Sequence, residues 1–226
     1  MMKRNQSGFT LIEIAIVLVI IGLLLGGVMK GQELINSAKV KNLAADFKNT
    51  SLYIYSYQDK FRALPGDDAL AGSHVSLATT ATLPVNSLGN GRIDGPWDLN
   101  DGSKTESILF WEHVRKAGIA TGTQTYTDTT AFPQRNTLGG IVGITNSVAS
   151  SGGFLPIANL KGAYIICSAN IQGKFAKQLD IMMDDGVTDQ GSMMTATTVS
   201  TSVGDNAVNA EGNPEDNTLY TVCMGV

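Results

Sequence analysis

The chain has 226 residues, which allows one ordinary domain, or one domain with an appendage. Only 16% of the residues are charged and the formal net charge is −4, which argues against duplex nucleic acid as the main partner, since binding it needs a basic face. With 43% hydrophobic residues, the composition is not that of a disordered chain. Two cysteines and two histidines leave few ways to complete a tetrahedral zinc site.

Residues 9–29 form one apolar segment whose polar side chains are Thr10 and Glu13. A helix of this length spans about 30 Å, the thickness of the hydrocarbon core of a bilayer. Lys3 and Arg4 precede the segment, and basic residues in that position tend to stay in the cytoplasm. The segment is too long for a secretory signal peptide, and no small-residue cleavage site follows it. The sequence therefore predicts a single-pass membrane precursor with its remaining domain outside the cytoplasm.

The apolar segment contains one acidic side chain and four closely spaced glycines. A carboxylate inside a hydrocarbon helix costs on the order of 2.5–3.5 kcal/mol at the centre and less near an edge, where Glu13 lies. Glu13 either reaches the membrane interface or pairs with a cation from another chain. Small residues four positions apart permit close packing of membrane helices, although glycine is also common in membrane helices generally. Gly22 and Gly26 have this spacing, as do Gly27 and Gly31.

The sequence Gly8-Phe9-Thr10-Leu11-Ile12-Glu13, between a short basic leader and an apolar helix, resembles the N-terminus of type IV prepilins and type II secretion pseudopilins. The resemblance covers residues 1–65. It implies that a membrane prepilin peptidase cleaves between Gly8 and Phe9 and methylates the new Phe9 amine. It also implies that Glu13 pairs with the Phe9 ammonium of a neighbouring subunit during filament assembly.

The same resemblance implies the fold class and the domains. The expected fold is α+β and type IV pilin-like, with a long N-terminal helix packed on an antiparallel β-sheet head. A cytoplasmic leader would occupy residues 1–8. Residues 9–60 would be the long helix, of which 9–29 form the transmembrane segment and later the filament core, and residues 61–226 the globular head. Apolar residues recur along one helical face beyond the membrane segment, and Leu64-Pro65-Gly66 then signals a turn; the face comprises Leu34, Ile35, Ala38, Leu43, Phe47 and Ile54.

Three functions agree with these features. The first is a structural pilin of a type IV pilus-like surface filament. The second is a pseudopilin of a type II secretion system, or a minor pilin, and the third is a membrane-tethered binding domain that never polymerises. For the first two, the implied partners are further copies of the chain, other pilins, the prepilin peptidase and methyltransferase, and an inner-membrane assembly platform. The precursor would lie in the inner membrane and the product in a surface pilus or a periplasmic pseudopilus.

The head shows several local patterns. Ser103 and Glu106 have the spacing of a capping box, and Gly118 suits the end of a helix predicted over residues 104–117. His113 in that helix is expected to be a surface or partly packed residue and not a metal ligand. Residues 163–167 and 219–223 are strand candidates, 140–144 a strand fragment, and 192–203 an edge strand or mobile loop. A short helix is predicted from Phe175 to just before Asp184.

Cys167 and Cys223 are expected to form a disulfide, because the head would be exported to a compartment in which disulfides persist. Such a bond would contribute about 4 kcal/mol in the chain-entropy account. Two free thiols are the alternative.

No catalytic site is predicted, because the sequence contains no nucleophile–base pattern, no Walker A motif and no G-x-G-x-x-G. No cofactor is expected either, although calcium is left open. Acidic residues cluster in two loops, but the first lacks an EF-hand pattern because Arg92 occupies a ligand position. The weak calcium candidates are Asp94, Asp98 and Asp101 in the first loop and Asp184, Asp185 and Asp189 in the second.

Overall fold

A computed structural model of the chain describes residues 11–83, 87–147, 155–197 and 209–226. The chain divides into two compact units, residues 1–38 and residues 39–226. We call the second unit the head. It begins within the first helix rather than after it, so that residues 39–61 of that helix belong to the head.

Helix α1 comprises Leu11–Phe61, 51 residues. It ends where Arg62 takes a left-handed conformation (φ 58°), three residues before Pro65, whose ring and missing N–H disfavour further helix. Its buried positions recur every three or four residues from Val40 onward, which confirms the predicted face for the part of α1 in the head; they are Val40, Leu43, Ala44, Phe47, Thr50, Ile54 and Tyr57. Leu34, Ile35 and Ala38 belong to the first unit and are exposed.

The head contains one four-stranded antiparallel sheet with the order β1-β2-β4-β3. The strands are β1 Val142–Asn146, β2 Tyr164–Gln172, β3 Met193–Ala196 and β4 Leu219–Gly225. All three predicted strand regions are present, and the Ser/Thr-rich segment starts as the edge strand β3. Its continuation, 198–203, lies outside the described residues. The long helix and this sheet confirm the expected α+β, pilin-like layout.

Three shorter helices complete the described elements: α2 Ala71–His74, α3 Glu106–Lys116 and α4 Gly173–Met183. Helix α4 matches its prediction, and Gly118 has the positive φ (75°) of a helix-ending glycine. The predicted capping box is wrong. Thr105 is the N-cap of α3 and makes no side-chain cap bond, while the Glu106 carboxylate accepts hydrogen bonds from Ser87 Oγ (2.6 Å) and the Asp94 amide (2.7 Å).

Both faces of the sheet are covered by apolar clusters. Side chains alternate between the two faces along each strand, so neighbouring residues of one strand belong to different clusters. On β2, Ile166 joins the core cluster that contains Phe47 and Ile54 of α1, whereas Ile165 and Cys167 join a second cluster with Trp97 and Ile157. The alternation continues on the other strands, where Val222 and Met193 lie in the first cluster and Cys223 and Met194 in the second. The two clusters together make the strands of this antiparallel sheet largely apolar on both sides.

A disulfide joins Cys167 and Cys223, which are direct partners in the register of β2 and β4. Both residues are fully buried in the second cluster. The bond therefore ties the C-terminal strand to the long strand β2, inside the core rather than at the surface.

The backbone of Gly66 packs closely against α3 in a conformation that favours glycine, so a substitution there should destabilise the head. Gly66 has φ +92°, and a Cβ added to it would lie 2.3 Å from the main-chain oxygen of Glu106 at the start of α3. Gly118 has a similar φ (+75°), but a Cβ there would meet nothing within 4 Å. Gly66→Ala should lower the free energy of unfolding by about 1–3 kcal/mol more than Gly118→Ala, because only Gly66 adds a clash to the left-handed strain. Urea unfolding of the full chain in detergent, followed by tryptophan fluorescence, measures the difference.

Both tryptophans, Trp97 and Trp111, lie in the head, so the fluorescence reports on that unit. Equal losses in the two variants would contradict the close approach of the Gly66 backbone to α3.

Candidate functional site

The N-terminal part of α1 exposes its apolar side chains on every side. Between Leu11 and Met29 the large aliphatic side chains are 46% to 94% exposed, and the most apolar stretch has a mean hydropathy of 2.8. By length and composition this helix can cross a membrane. So large an apolar surface is not stable in water, and it requires lipid or other protein chains to cover it.

Glu13 lies in the first described turn of α1 and is exposed. An acid at a helix N-terminus interacts favourably with the helix dipole, which reduces the unfavourable free energy of placing a charge in this apolar surface. Gly8 and Phe9 lie outside the described residues. The pairing of Glu13 with a Phe9 amine therefore stays a prediction.

The four glycines of the segment leave open space on the helix. A Cβ added at Gly22, Gly26, Gly27 or Gly31 would meet nothing within 4 Å. Within the part of the chain that the structure describes, packing therefore does not require glycine at these positions. The free space is available to a second helix, which is the use that the four-residue spacing predicts.

His113 is a buried residue of the head that forms hydrogen bonds through both ring nitrogens. One of these bonds holds the turn that follows α1. The Gly66 amide donates a hydrogen bond to His113 Nδ1 (2.9 Å), and His113 Nε2 lies 2.7 Å from the Thr79 carbonyl oxygen. A backbone amide can only donate, so Nδ1 is the acceptor and Nε2 carries the proton of a neutral ring. Burial lowers the pKa of His113, which agrees with this tautomer.

The expectation that His113 is a surface or partly packed residue is wrong, because the residue is fully buried. Both ring nitrogens are occupied by main-chain partners, so His113 has no nitrogen left for a metal. The sequence could not indicate this, because the partners Gly66 and Thr79 come from distant parts of the chain.

Buried acids hold the loop that precedes α3. Asp67 accepts hydrogen bonds from the amides of Gly89, Asn90 (3.2 Å) and Gly91 (2.7 Å). Asp94 accepts from the side-chain amides of Asn90 (2.9 Å) and Asn146. Burial raises the pKa of Glu106, the acid that binds the same loop, to about 7. These carboxylates are satisfied by protein donors and serve as structural links.

A groove of about 790 Å³ lies beside the end of α1 and is lined in part by Phe61, Arg62 and Tyr164. At its wall, Asp68 Oδ2 accepts a hydrogen bond from the Tyr57 hydroxyl (2.8 Å) and lies 2.7 Å from His74 Nδ1. The His74 ring stacks on Phe61. Among the residues that the structure describes, the lining of the groove includes no serine, threonine or cysteine.

Of the weak calcium candidates, the structure brings together two. Asp184 and Asp185 lie in a group with Asp180, and their carboxylate oxygens are within 4.8 Å of one another. Among the described residues, Asp94, Asp98, Asp101 and Asp189 join no such group. Sequence reasoning missed Asp180, which lies in the last turn of the predicted helix, four residues before Asp184.

Comparison with known protein families gives one match. Residues 3–29 match the family described as the prokaryotic N-terminal methylation motif. No curated protein matches the chain significantly. The matched range contains Gly8, Phe9, Glu13 and the greater part of the exposed apolar helix, which are the residues on which the resemblance to prepilins depends.

The match and the fold agree with one another. The motif is the prepilin-type signal for cleavage and methylation, and it leads directly into an apolar helix that fits a membrane-anchored precursor. The rest of α1 then enters an α+β head with an antiparallel sheet. Residues 3–29 thus match a prepilin-type cleavage and methylation signal, and this motif together with the apolar helix supports a type IV pilin- or pseudopilin-like protein.

Proposed function

We propose that this protein is the structural subunit of a type IV pilus-like surface filament, processed by a prepilin peptidase and assembled through its apolar N-terminal helix. The observation that carries the proposal is the methylation motif joined to a helix whose apolar side chains are exposed all round. A helix that only anchored a domain in the membrane would need apolar side chains in contact with lipid, but it would not need a charged side chain within the apolar segment. Glu13, four residues after the cleavage position, supplies such a charge.

Cleavage creates the partner for that charge. Hydrolysis of the bond between Gly8 and Phe9 turns an amide nitrogen into an ammonium group at the head of the apolar helix. An ammonium and a carboxylate are each unfavourable in lipid when isolated, and an ion pair between neighbouring subunits offsets part of the free energy of placing both charges there. Because the two charges occupy fixed positions on the helix, the pairing sets the axial register of one subunit against the next.

The apolar surface is used twice in this proposal. In the precursor it contacts lipid, and in the filament it packs against the helices of neighbouring copies. The open faces at Gly22, Gly26, Gly27 and Gly31 allow close helix–helix approach. The disulfide between Cys167 and Cys223 suits a head that is exported before assembly.

The mass and the location of the subunit test the proposal. We expect filaments sheared from the cell surface to contain the chain as an abundant band that lacks residues 1–8, carries one added methyl group, and has two hydrogens fewer than the reduced form. Intact-mass spectrometry measures all three changes. The same processed mass confined to the membrane fraction would instead identify a pseudopilin or a minor pilin. An unprocessed chain would contradict the filament proposal and favour a membrane-tethered domain.

Glu13→Ala tests the register argument. The variant should be processed normally, because the peptidase acts at residues 8 and 9. Filament yield should fall by about tenfold or more, the effect of a loss of about 1.4 kcal/mol in subunit association. Quantitative immunoblotting of the sheared fraction measures the yield. The matched control is Glu33→Ala, since Glu33 is exposed and pairs with Lys30 of its own helix (2.7 Å). Wild-type yield from Glu13→Ala would show that the acid does not set the register.

Gly8→Val tests the cleavage position. A branched side chain should not fit a peptidase site that accepts glycine, so the variant should accumulate as full-length precursor in the membrane. Gly8→Ala keeps a small residue and is the control, expected to be processed. Gel mobility and intact mass distinguish the precursor from the product. Processing of Gly8→Val at the wild-type rate would place the cleavage site elsewhere.

A further inference from the structure

The loop before α3 contains Asn90-Gly91, the one Asn-Gly pair in the sequence. Both residues are exposed, and Gly91 has a positive φ (79°). The main-chain nitrogen that follows an asparagine can attack the amide carbon of that asparagine's side chain, and glycine hinders this attack least because it has no side chain. Asn90 is therefore a chemically reactive position, and its neighbours decide whether the reaction is slowed or accelerated.

The attacking nitrogen is in contact with a buried carboxylate. The Gly91 amide donates a hydrogen bond to Asp67 Oδ2 (2.7 Å), and Asp67 is buried. Burial raises the pKa of Asp67, which makes its carboxylate a stronger base. The amide nitrogen must lose its proton when it attacks, and a base that is already within hydrogen-bond distance can accept that proton.

The side-chain amide of Asn90 is held at both of its polar atoms. Its Oδ1 accepts a hydrogen bond from the Arg92 amide (2.8 Å), and this bond fixes the orientation of the side chain because a main-chain amide can only donate. Negative charge develops on Oδ1 when the amide carbon is attacked, and the Arg92 amide stabilises that charge. The leaving nitrogen, Nδ2, donates to Asp94 Oδ2 (2.9 Å). The attacking nitrogen, the oxyanion and the leaving group are thus all positioned before the reaction begins.

We propose that Asn90 is a site of intramolecular deamidation, with Asp67 as the general base. The Gly91 nitrogen forms a bond to Cγ of Asn90 while Asp67 accepts its proton. The bond between Cγ and Nδ2 then breaks, and Nδ2 takes up that proton and leaves as ammonia. Water opens the resulting cyclic succinimide at either of its carbonyl carbons, which gives aspartate or isoaspartate at residue 90. Water is the one co-reactant, and the site does not depend on the proposed filament role.

The reaction changes the loop that links the turn after α1 to α3. A carboxylate at residue 90 cannot donate to Asp94, and it adds a negative charge beside Asp94 and Asp67, where like charges are unfavourable. The Asp94 amide donates to Glu106 at the start of α3 (2.7 Å), so the change also affects the contact between the loop and that helix. Deamidation should therefore lower the midpoint of thermal unfolding of the head.

The rate of deamidation in the folded chain tests the proposal. The full chain is incubated in nonionic detergent at neutral pH, and the same chain unfolded in guanidinium chloride is the reference, because it keeps Asn90-Gly91 but loses the contact with Asp67. Peptide mapping by mass spectrometry measures the loss of the amide, and an isoaspartate-specific methyltransferase measures isoaspartate. We expect the folded chain to react at least about tenfold faster than the unfolded chain. Asn170 is also exposed but precedes isoleucine, so it is the internal control and should keep its amide.

Substitutions separate the base from the fold. Asp67→Asn removes the base and should slow the reaction of the folded chain by at least about tenfold. Asp68→Asn is the matched control and should react as the wild type does, because Asp68 is also buried but binds Tyr57 and Leu70 instead. Gly91→Ala should also slow the reaction by hindering the attack, and its added methyl group would meet nothing within 4 Å. The wild-type comparison needs no substitution, so it decides the question even if Asp67→Asn does not fold.

Two results would overturn the proposal. The first is a folded chain that loses the amide no faster than the unfolded chain, which would show that the hydrogen bonds protect Asn90. The second is equal slowing in folded Asp67→Asn and folded Asp68→Asn, which would exclude Asp67 as the base. Asn90→Asp carries one of the two products and should unfold at a lower temperature than the wild type; an equal midpoint would contradict the inferred effect on the loop. A failure here leaves processing and assembly untouched, because those are measured on residues 8, 9 and 13.

Discussion

The central constraint on this protein is an apolar helix surface that is exposed among the described residues of the first unit. From Leu11 to Met29 the large aliphatic side chains are exposed, so their stable environment lies in lipid or in other chains. The same helix continues into the head, where its residues from Val40 onward are core. One continuous helix thus joins an exposed apolar surface, which requires lipid or other chains to cover it, to a head with its own buried core. Cleavage, charge pairing and assembly in the proposed function all act on the first part of that helix.

The head depends on how the end of α1 is held. The chain leaves α1 through the turn at Pro65 and Gly66, and the Gly66 amide is bound by a fully buried, neutral His113 from α3. Asp67, the next residue, binds the amides of the loop at 89–91, while Glu106 binds the same loop from the start of α3. The segment after α1, the loop and α3 are therefore linked by hydrogen bonds, of which those of His113 to Gly66 and of Glu106 to Ser87 and Asp94 are buried, where such bonds are most effective. An apolar core packed around them, on both faces of the sheet, completes the head.

Sequence reasoning succeeded where the signal was local. The apolar segment, the long helix, α4, the strands and the positive φ of Gly118 all follow from residues near one another in the chain. Sequence reasoning failed where a residue with a predicted local role forms hydrogen bonds with residues from distant parts of the chain. Glu106 has capping-box spacing but binds Ser87 and Asp94, and His113 has an ordinary helical position but is buried between Gly66 and Thr79. In both cases a buried polar group was satisfied by main-chain or side-chain donors and acceptors that only the fold brings near.

The sequence by itself determined that the chain carries a prepilin-type signal, a membrane-length helix and an α+β head, because each of these is written in contiguous residues and in their periodicity. Only the tertiary structure decided where the head begins on α1, which face of the sheet contains the cystine, and which acids meet. Asp94 accepts hydrogen bonds from two asparagine side chains, whereas Asp180 lies close to Asp184 and Asp185. Among the described residues, Asp189 does not belong to that group. The physical reason is that burial and partner choice depend on side chains from distant segments, whose positions follow from packing of the whole head and not from spacing along the chain.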